Sequence, residues 1–128
     1  MRALLDTHAL LWWLSDSPEL TRPARRVIED VRNTVIVSAA SAWEIATKVR
    51  LGKLPTAVDL VADFAGQTER EGFQLLAVSV EHAIRGGLLP GPHKDPFDRM
   101  LIAQAQAENL PIVSNERAFD GYGVRRVW

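Results

Sequence analysis

Carboxylates are the side chains of this chain whose spacing points to chemistry. Asp6 directly follows the apolar segment Ala3–Leu5 and precedes a second apolar segment, Ala9–Leu14. A carboxylate buried without a partner is costly, so Asp6 needs either a helix N-terminus to cap or a cation to bind. Further acids at the ends of apolar segments or near helix starts are Glu44, Asp95, Asp98, Glu116 and Asp120.

Several carboxylates in one small volume cannot all stay ionised without a counter-charge. Mg²⁺ and Mn²⁺ prefer oxygen ligands, and one or two such ions activate water and stabilise charge on a phosphoryl group. The chain has no cysteine and three histidines, which excludes thiolate metal sites and favours these ions over zinc. If the acids converge, we therefore expect metal-assisted phosphoryl chemistry.

Length and composition predict one globular domain spanning residues 1–128, with 47% apolar and 24% charged residues. The net charge of -1 does not indicate a nucleic-acid binder, although a small total charge can conceal a basic patch. The first segment lacks a basic leader with a cleavage site, and no apolar run is long enough to span a bilayer. We therefore expect a cytoplasmic protein that does not associate with membranes.

Alternating strands and helices must position the acids. The predicted strands are Arg2–Leu5, Thr34–Val37, Gln74–Val78, Pro111–Ser114 and Val124–Trp128. The predicted helices are Thr7–Leu14, Leu20–Val31, Ser38–Val49, Thr56–Arg70, a helix capped by Ser79 that breaks at Gly86–Gly87, and Pro96–Glu108. This alternation is typical of an α/β fold with a mostly parallel sheet of four to five strands and helices on both faces.

Ligands of such a sheet bind at the carboxyl ends of its strands. Asp6, Glu44 and Glu116 follow predicted strands closely and are expected at this edge. Asp98 instead begins a helix that leads into a strand; such a helix usually ends at the other edge, so its start could also reach this one, depending on the loop before it. Spacing alone therefore leaves open whether Asp98 joins the other acids.

Each acid also has a structural interpretation, because helix caps are commoner than active sites. Asp6 and Glu116 could each begin a helix, and Glu44 could complete a Ser-x-x-Glu capping box in the motif SAWE. For Asp95, before a proline, we favour a helix cap, and for Asp120 a turn residue.

Histidine, tryptophan and basic residues give weaker signals. His93, in the segment LPGPHKDP, is interpreted as a solvated loop residue. The adjacent Trp12 and Trp13 cannot both face one core from a helix, so one of them is expected in the interface of a homodimer. The basic residues that could line a phosphate-binding groove near the acids are Lys48, Arg50, Lys53, Lys94 and Arg99.

Four stretches of the chain together resemble the PIN-domain family, in particular its VapC-type toxin branch. They are LLDTHALLWWL, SAASAWEIATKVRLGKL, DPFDRMLIAQAQ and LPIVSNERAFDGYGVRRVW, and they cover about half of the chain. The resemblance implies a PIN-like three-layer sandwich and a metal-dependent endoribonuclease that cleaves RNA with Mg²⁺ or Mn²⁺, one or two ions. For the toxin branch it also implies a cognate VapB-type antitoxin, and it agrees with a homodimer.

The resemblance assigns the family's acidic quartet to Asp6, Glu44, Asp98 and Glu116, as metal ligands and catalytic residues, and gives Asp98 this role instead of Asp95. It also implies supporting roles for Thr7 and Ser114. The fourth acid is usually Asp, so Glu116 departs from the common pattern and is expected to contact a metal directly or through water.

The sequence also allows two alternatives to a nuclease to be compared with it. A catalytically inactive PIN-like module that binds RNA or a partner is favoured by the glutamate at position 116. A receiver domain or an aspartyl phosphatase would need adjacent acids or an Asp-x-Asp motif after the first strand. The segment Asp6-Thr7-His8 contains neither adjacent acids nor an Asp-x-Asp motif, so the sequence disfavours a receiver domain and an aspartyl phosphatase.

Overall fold

A five-stranded parallel sheet forms the centre of the computed structural model, which describes residues 1–128. The strands are β1 (Arg2–Leu5), β2 (Thr34–Ser38), β3 (Gln74–Leu76), β4 (Ile112–Val113) and β5 (Arg126–Val127). Their order is β3-β2-β1-β4-β5, and every neighbouring pair is parallel. The winding direction therefore reverses between β1 and β4, where the carboxyl ends of strands form a crevice for ligands.

Seven α-helices connect and cover these strands. They are α1 (Thr7–Leu14), α2 (Arg22–Glu29), α3 (Ala39–Arg50), α4 (Val58–Ala62), α5 (Phe64–Arg70), α6 (Val80–Leu88) and α7 (Pro96–Glu108). Two short 3₁₀ helices span Pro55–Ala57 and Arg117–Tyr122. None of the helices combines the length and the apolar character needed to cross a bilayer.

Two apolar cores lie on opposite faces of the sheet, because successive side chains of a strand point to opposite faces. Leu5 and Val37 belong to the core shared with α1, α2 and α4, whereas Leu4 and Ile36 belong to the core shared with α7. Phe119, from the second 3₁₀ helix, is fully buried in the latter core. This arrangement confirms the predicted α/β sandwich with helices on both faces.

Two predicted helices differ from the structure. The helix expected over Thr56–Arg70 is interrupted at Asp63, whose backbone (φ -145°, ψ 51°) is not helical, and so forms the separate helices α4 and α5. The break expected at Gly86–Gly87 does not occur, because α6 continues to Leu88. Gly86 is buried, and a Cβ atom placed on it would lie 3.5 Å from the Met100 side chain of α7, in ordinary contact.

Candidate active site

Asp6 leaves the carboxyl end of β1 and is buried, with 3% of its surface exposed. Its Oδ1 accepts a hydrogen bond of 2.7 Å from the backbone N–H of Ala9, so it is the N-cap of α1, as one of the two interpretations predicted. Its Oδ2 accepts a hydrogen bond from the hydroxyl of Ser114, which directly follows β4. The Asp6 carboxylate therefore both caps α1 and lines the crevice at the carboxyl ends of the strands.

Burial raises the pKa of the Asp6 carboxyl above its ordinary value. The hydrogen bonds from Ser114 and Ala9 act in the opposite direction, and the nearby carboxylate of Glu44 raises the pKa further. The charged form of Asp6 thus lacks sufficient positive charge around it, a deficit that a bound cation would remove.

Glu44 lies in the second turn of α3 and is also buried, with 3% of its surface exposed. The helix begins at Ala39, and Ser38 is its N-cap through a bond from the Ala40 N–H, so the capping-box interpretation of Glu44 was wrong. The Lys48 ammonium lies 2.5 Å from Glu44 Oε2 and supplies the positive charge that a buried carboxylate requires.

Asp95 is the N-cap of α7, which confirms its predicted structural role. Its Oδ1 accepts hydrogen bonds from the backbone N–H groups of Phe97 (2.8 Å) and Asp98 (3.1 Å). This cap fixes Asp98 in the first turn of α7, with its side chain toward the acids of β1 and α3.

His93 contacts Asp98, with its Nε2 2.9 Å from Asp98 Oδ2. Burial raises the pKa of Asp98 to about 6, and the hydrogen bond from His93 partly opposes this rise. The carboxylates of Asp95 and Glu44 raise the pKa further. The interpretation of His93 as a solvated loop residue was therefore wrong: its side chain is only 19% exposed.

Glu116 is exposed and begins the 3₁₀ helix Arg117–Tyr122, in agreement with its structural interpretation. Its Oε1 accepts a bond of 3.1 Å from the Ala118 N–H, and its own N–H donates to the Ser114 hydroxyl at 2.9 Å. The Ser114 hydroxyl thus links the segments that carry Asp6 and Glu116. Thr7, in contrast, donates its hydroxyl to Ser41 at 3.0 Å and so ties α1 to α3.

One cavity of about 320 Å³ is lined by all four acids of the predicted quartet. Its wall also contains His8, Trp12, Lys48, Asp95 and Asn115. The topology thus resolves what spacing left open, because the start of α7 reaches the same cavity as the end of β1. No three acids or histidines are already arranged as a ligand set for a metal ion.

The donors of this cavity nevertheless fit a hard divalent cation. All four are carboxylates, which Mg²⁺ and Mn²⁺ prefer, and burial raises the pKa values of Asp6 and Asp98. Lys48 contacts only Oε2 of Glu44 and His93 only Oδ2 of Asp98, so each of these carboxylates keeps a second oxygen that could contact the ion.

The predicted basic residues divide into three groups. Lys48 lines the acidic cavity, and both Lys48 and Lys53 line an adjoining cavity of about 670 Å³. Arg50 and Lys94 are exposed outside both cavities. Arg99 instead donates to backbone carbonyls of its own loop, including that of His93 at 2.8 Å, so its guanidinium does not line the acidic cavity.

Trp12 and Trp13 are both half-buried and pack on their own chain. The ring of Trp12 lies 5.7 Å from that of Trp128, and the Trp13 indole N–H donates to Glu71 at 3.1 Å. The predicted turn residue Asp120 lies in the 3₁₀ helix and forms an ion pair of 2.9 Å with Arg126.

Comparisons with known proteins agree with this architecture. Residues 3–124 match the model of the PIN domain. A chain of the VapBC2 complex of Rickettsia felis, bound to a DNA fragment from its promoter, has a TM-score of 0.71 at 18% identity, covering 98% of this chain and 97% of that one. For VapBC-1 of nontypeable Haemophilus influenzae the values are 0.66 and 14%, with 98% and 96% covered.

A curated relative is similar over a shorter segment. Ribonuclease VapC16 of Mycobacterium tuberculosis is 46% identical over 59 residues, which are 46% of this chain and 40% of that protein. The match thus spans less than half the length of that relative. Because the family model covers nearly the whole chain and the solved structures share its sheet and helices, the chain belongs to the PIN-domain family.

Proposed function

We propose that this chain is a metal-dependent endoribonuclease of the VapC type. One observation carries the proposal: Asp6, Glu44, Asp98 and Glu116, from four separate segments, line one cavity at the switch point of the sheet. The similarity to a protein named as a VapC ribonuclease supports the choice of RNA as the substrate.

In this function Asp6, Glu44 and Asp98 hold Mg²⁺ or Mn²⁺, as one or two ions, and Glu116 contributes directly or through water. When bound, the ion polarises the scissile phosphate and activates the attacking water. Ser114 orients Asp6 through its hydroxyl hydrogen bond. Lys48, which lines the cavity beside Glu44, can contact a phosphate oxygen of the substrate.

The adjoining cavity offers a path for the RNA strand. Lys48 and Lys53 provide positive charge along it, and Trp12 forms part of the wall of both cavities. Phosphate contacts of this kind give affinity without sequence information, so the proposal specifies RNA and leaves its sequence open.

We further propose a VapB-type antitoxin as partner, since the structural relatives include VapBC complexes. A basic side chain from such a partner would pair with the carboxylates of the acidic cavity and exclude the metal. Replacement of that side chain by alanine should restore cleavage by the complex.

We also propose a homodimer; besides the half-exposed Trp12 and Trp13, the exposed apolar face of α6 is a candidate for its interface. Val80, Ile84 and Leu88 form an apolar stripe on this helix and are 77%, 58% and 78% exposed. Glu81 and Arg85 lie beside the stripe, one helical turn apart. If two α6 helices pair antiparallel about a two-fold axis centred near Ile84, the apolar stripe of one copy packs against that of the other.

Replacement of Ile84 by Glu places a charge at the centre of this stripe and is expected to give a monomer. Light scattering coupled to gel filtration measures the mass, with Val58→Glu, at another exposed apolar residue, as the control that stays dimeric. A wild-type protein that is monomeric at high concentration would contradict the proposed dimer.

A binding module without turnover is the second candidate function. One observation favours it: Glu116, the fourth acid, is exposed and caps a 3₁₀ helix. Such a protein would bind RNA or a partner through the same cavity without cleaving any substrate.

Cleavage of a total RNA pool distinguishes the two candidates. The wild-type protein should cut RNA with Mn²⁺ and not with EDTA, and Asp6→Asn and Asp98→Asn should abolish cleavage. Asp120→Asn is the matched control, because this exposed acid lies outside the cavity and should leave cleavage unchanged. Cleavage that persists with EDTA or in the cavity variants refutes the proposed mechanism, and RNA binding without cleavage supports the second candidate.

A further inference from the structure

We propose that His93 is a positioning residue that holds the Asp98 carboxylate in the orientation needed for a metal ion, and that Tyr122 and Arg99 fix His93 in place. This inference rests on the proposed function, in which Asp98 is a metal ligand. His93 itself does not line the acidic cavity, so it acts only through Asp98.

The contact between the two side chains engages one oxygen of the Asp98 carboxylate and leaves the other available. The imidazole Nε2 lies 2.9 Å from Asp98 Oδ2, and the two side chains are 19% and 22% exposed. With Oδ2 engaged by the imidazole, Oδ1 remains the oxygen that can contact a cation in the cavity. Carboxylates that bind metals commonly have such a hydrogen-bond partner, which fixes their rotamer.

The backbone of His93 is held from both sides. Its N–H donates to the hydroxyl of Tyr122 at 3.0 Å, and its carbonyl accepts a bond of 2.8 Å from Arg99 Nη1. Arg99 also donates through Nη2 to the carbonyl of Leu89, at the start of the same loop. The ring of His93 lies edge-on to the buried ring of Phe119, with 6.4 Å between the centroids. These contacts restrict the movement of the imidazole away from Asp98.

Gly91 shows how closely this loop fits Tyr122. Its φ of +102° lies in the region that favours glycine, and a Cβ atom built on it would lie 2.6 Å from the Tyr122 hydroxyl oxygen. The loop therefore closes directly on the tyrosine ring, which makes the position of His93 a consequence of packing between the loop and the second 3₁₀ helix.

Substitution of His93 by Gln and by Leu separates the hydrogen bond from packing. Gln retains an N–H donor for Asp98, whereas Leu fills similar space without one. Titration calorimetry with Mn²⁺ alone, on the full chain, is the main measurement. We expect Leu to weaken Mn²⁺ binding by about 10–100-fold, the usual effect of removing such a partner, and Gln to restore most of the affinity.

Two further variants control for folding and for the loop. Pro92→Ala alters an exposed loop residue and should bind Mn²⁺ like the wild type. Tyr122→Phe removes the acceptor of the His93 N–H and should weaken binding less than His93→Leu, which keeps the inference testable even where the leucine variant does not fold. In RNA cleavage, His93→Leu should lower kcat and leave KM for RNA unchanged.

The outcomes distinguish this inference from the proposed function. If the wild type binds Mn²⁺ and His93→Leu and Tyr122→Phe bind it equally well, the inference is wrong and the nuclease proposal stands. If Gln and Leu weaken binding equally, packing and not the hydrogen bond is responsible, and the inference is again wrong. A wild type that binds no Mn²⁺ overturns both.

Discussion

Three acids of the cavity each have a different partner: Ser114 for Asp6, Lys48 for Glu44 and His93 for Asp98. Only Lys48 brings a permanent positive charge, so the three carboxylates together are under-compensated. This explains why burial raises the pKa of Asp6 and of Asp98 despite their hydrogen bonds. A site built for a cation is expected to show this deficit in the metal-free protein.

Neutralisation of Asp98 is therefore expected to stabilise the metal-free protein. Burial raises the pKa of this carboxyl from its ordinary 3.8 to about 6, so the folded chain holds this proton more tightly than the unfolded chain. The free energy of unfolding consequently falls as the pH rises from 3.8 to about 6, and above about pH 6 the ionised carboxylate opposes folding. Asp98→Asn should raise the melting temperature at neutral pH and lose this advantage below the lower pKa.

Thermal unfolding with EDTA measures the melting temperatures of the wild type and of Asp98→Asn at neutral pH and at about pH 3.5. The acidic condition lies below the pKa of this carboxyl in the unfolded chain. Asp120→Asn is a control of opposite sign, because the hydrogen bond from Arg126 holds the pKa of Asp120 below its ordinary value. A lower melting temperature for Asp98→Asn at neutral pH would contradict the prediction.

Part of the site followed from local sequence signals. Asp6 stands where an apolar strand meets a helix, and Asp95 precedes a proline, so both caps could be predicted. The partners of Asp98 and of Arg99 could not be predicted, because the loop of residues 89–95 has no periodic pattern that indicates the direction of the His93 side chain. Its conformation depends on Tyr122, which lies 29 residues away in the sequence.

At the level of elements, agreement was best where apolar runs and caps coincide. The bounds of β1, α1 and α7 match their predictions. The sequence patterns did not predict the interruption at Asp63 or the continuous path of α6 through Gly86, which lies where α6 packs closely on Met100 of α7. At Gly86, packing against α7 thus outweighs the low helix propensity of glycine.

The continuity of α6 predicts opposite effects of alanine at two nearby glycines. Gly87 is helical and a Cβ atom would meet nothing within 4 Å, so Gly87→Ala should stabilise the protein by about 0.5–1 kcal/mol. Gly91→Ala should destabilise it, because the new methyl group collides with Tyr122 and the backbone has a positive φ. Urea unfolding measures both, and a destabilised Gly87→Ala would show that α6 is not helical there.

At the level of the whole molecule, the cavity joins segments from both ends of the described chain. Ligands that bind only the folded state stabilise it by mass action, about 2.7 kcal/mol at a concentration of one hundred times the dissociation constant. Mn²⁺ should therefore raise the melting temperature of the wild-type protein, and Asp6→Asn should remove most of this rise. An equal rise in both proteins, measured by differential scanning calorimetry, would mean that the ion binds elsewhere.

The pairing of β1 with β4 also sets an order of events during synthesis. Asp6 donates its backbone N–H to Val113 and accepts a hydrogen bond from the hydroxyl of Ser114, and both of these residues are translated more than one hundred residues after it. A ribosome-bound chain that stops short of these residues cannot complete the cavity. A growing copy of the proposed nuclease should consequently cleave no RNA until β4 has been translated and has paired with β1.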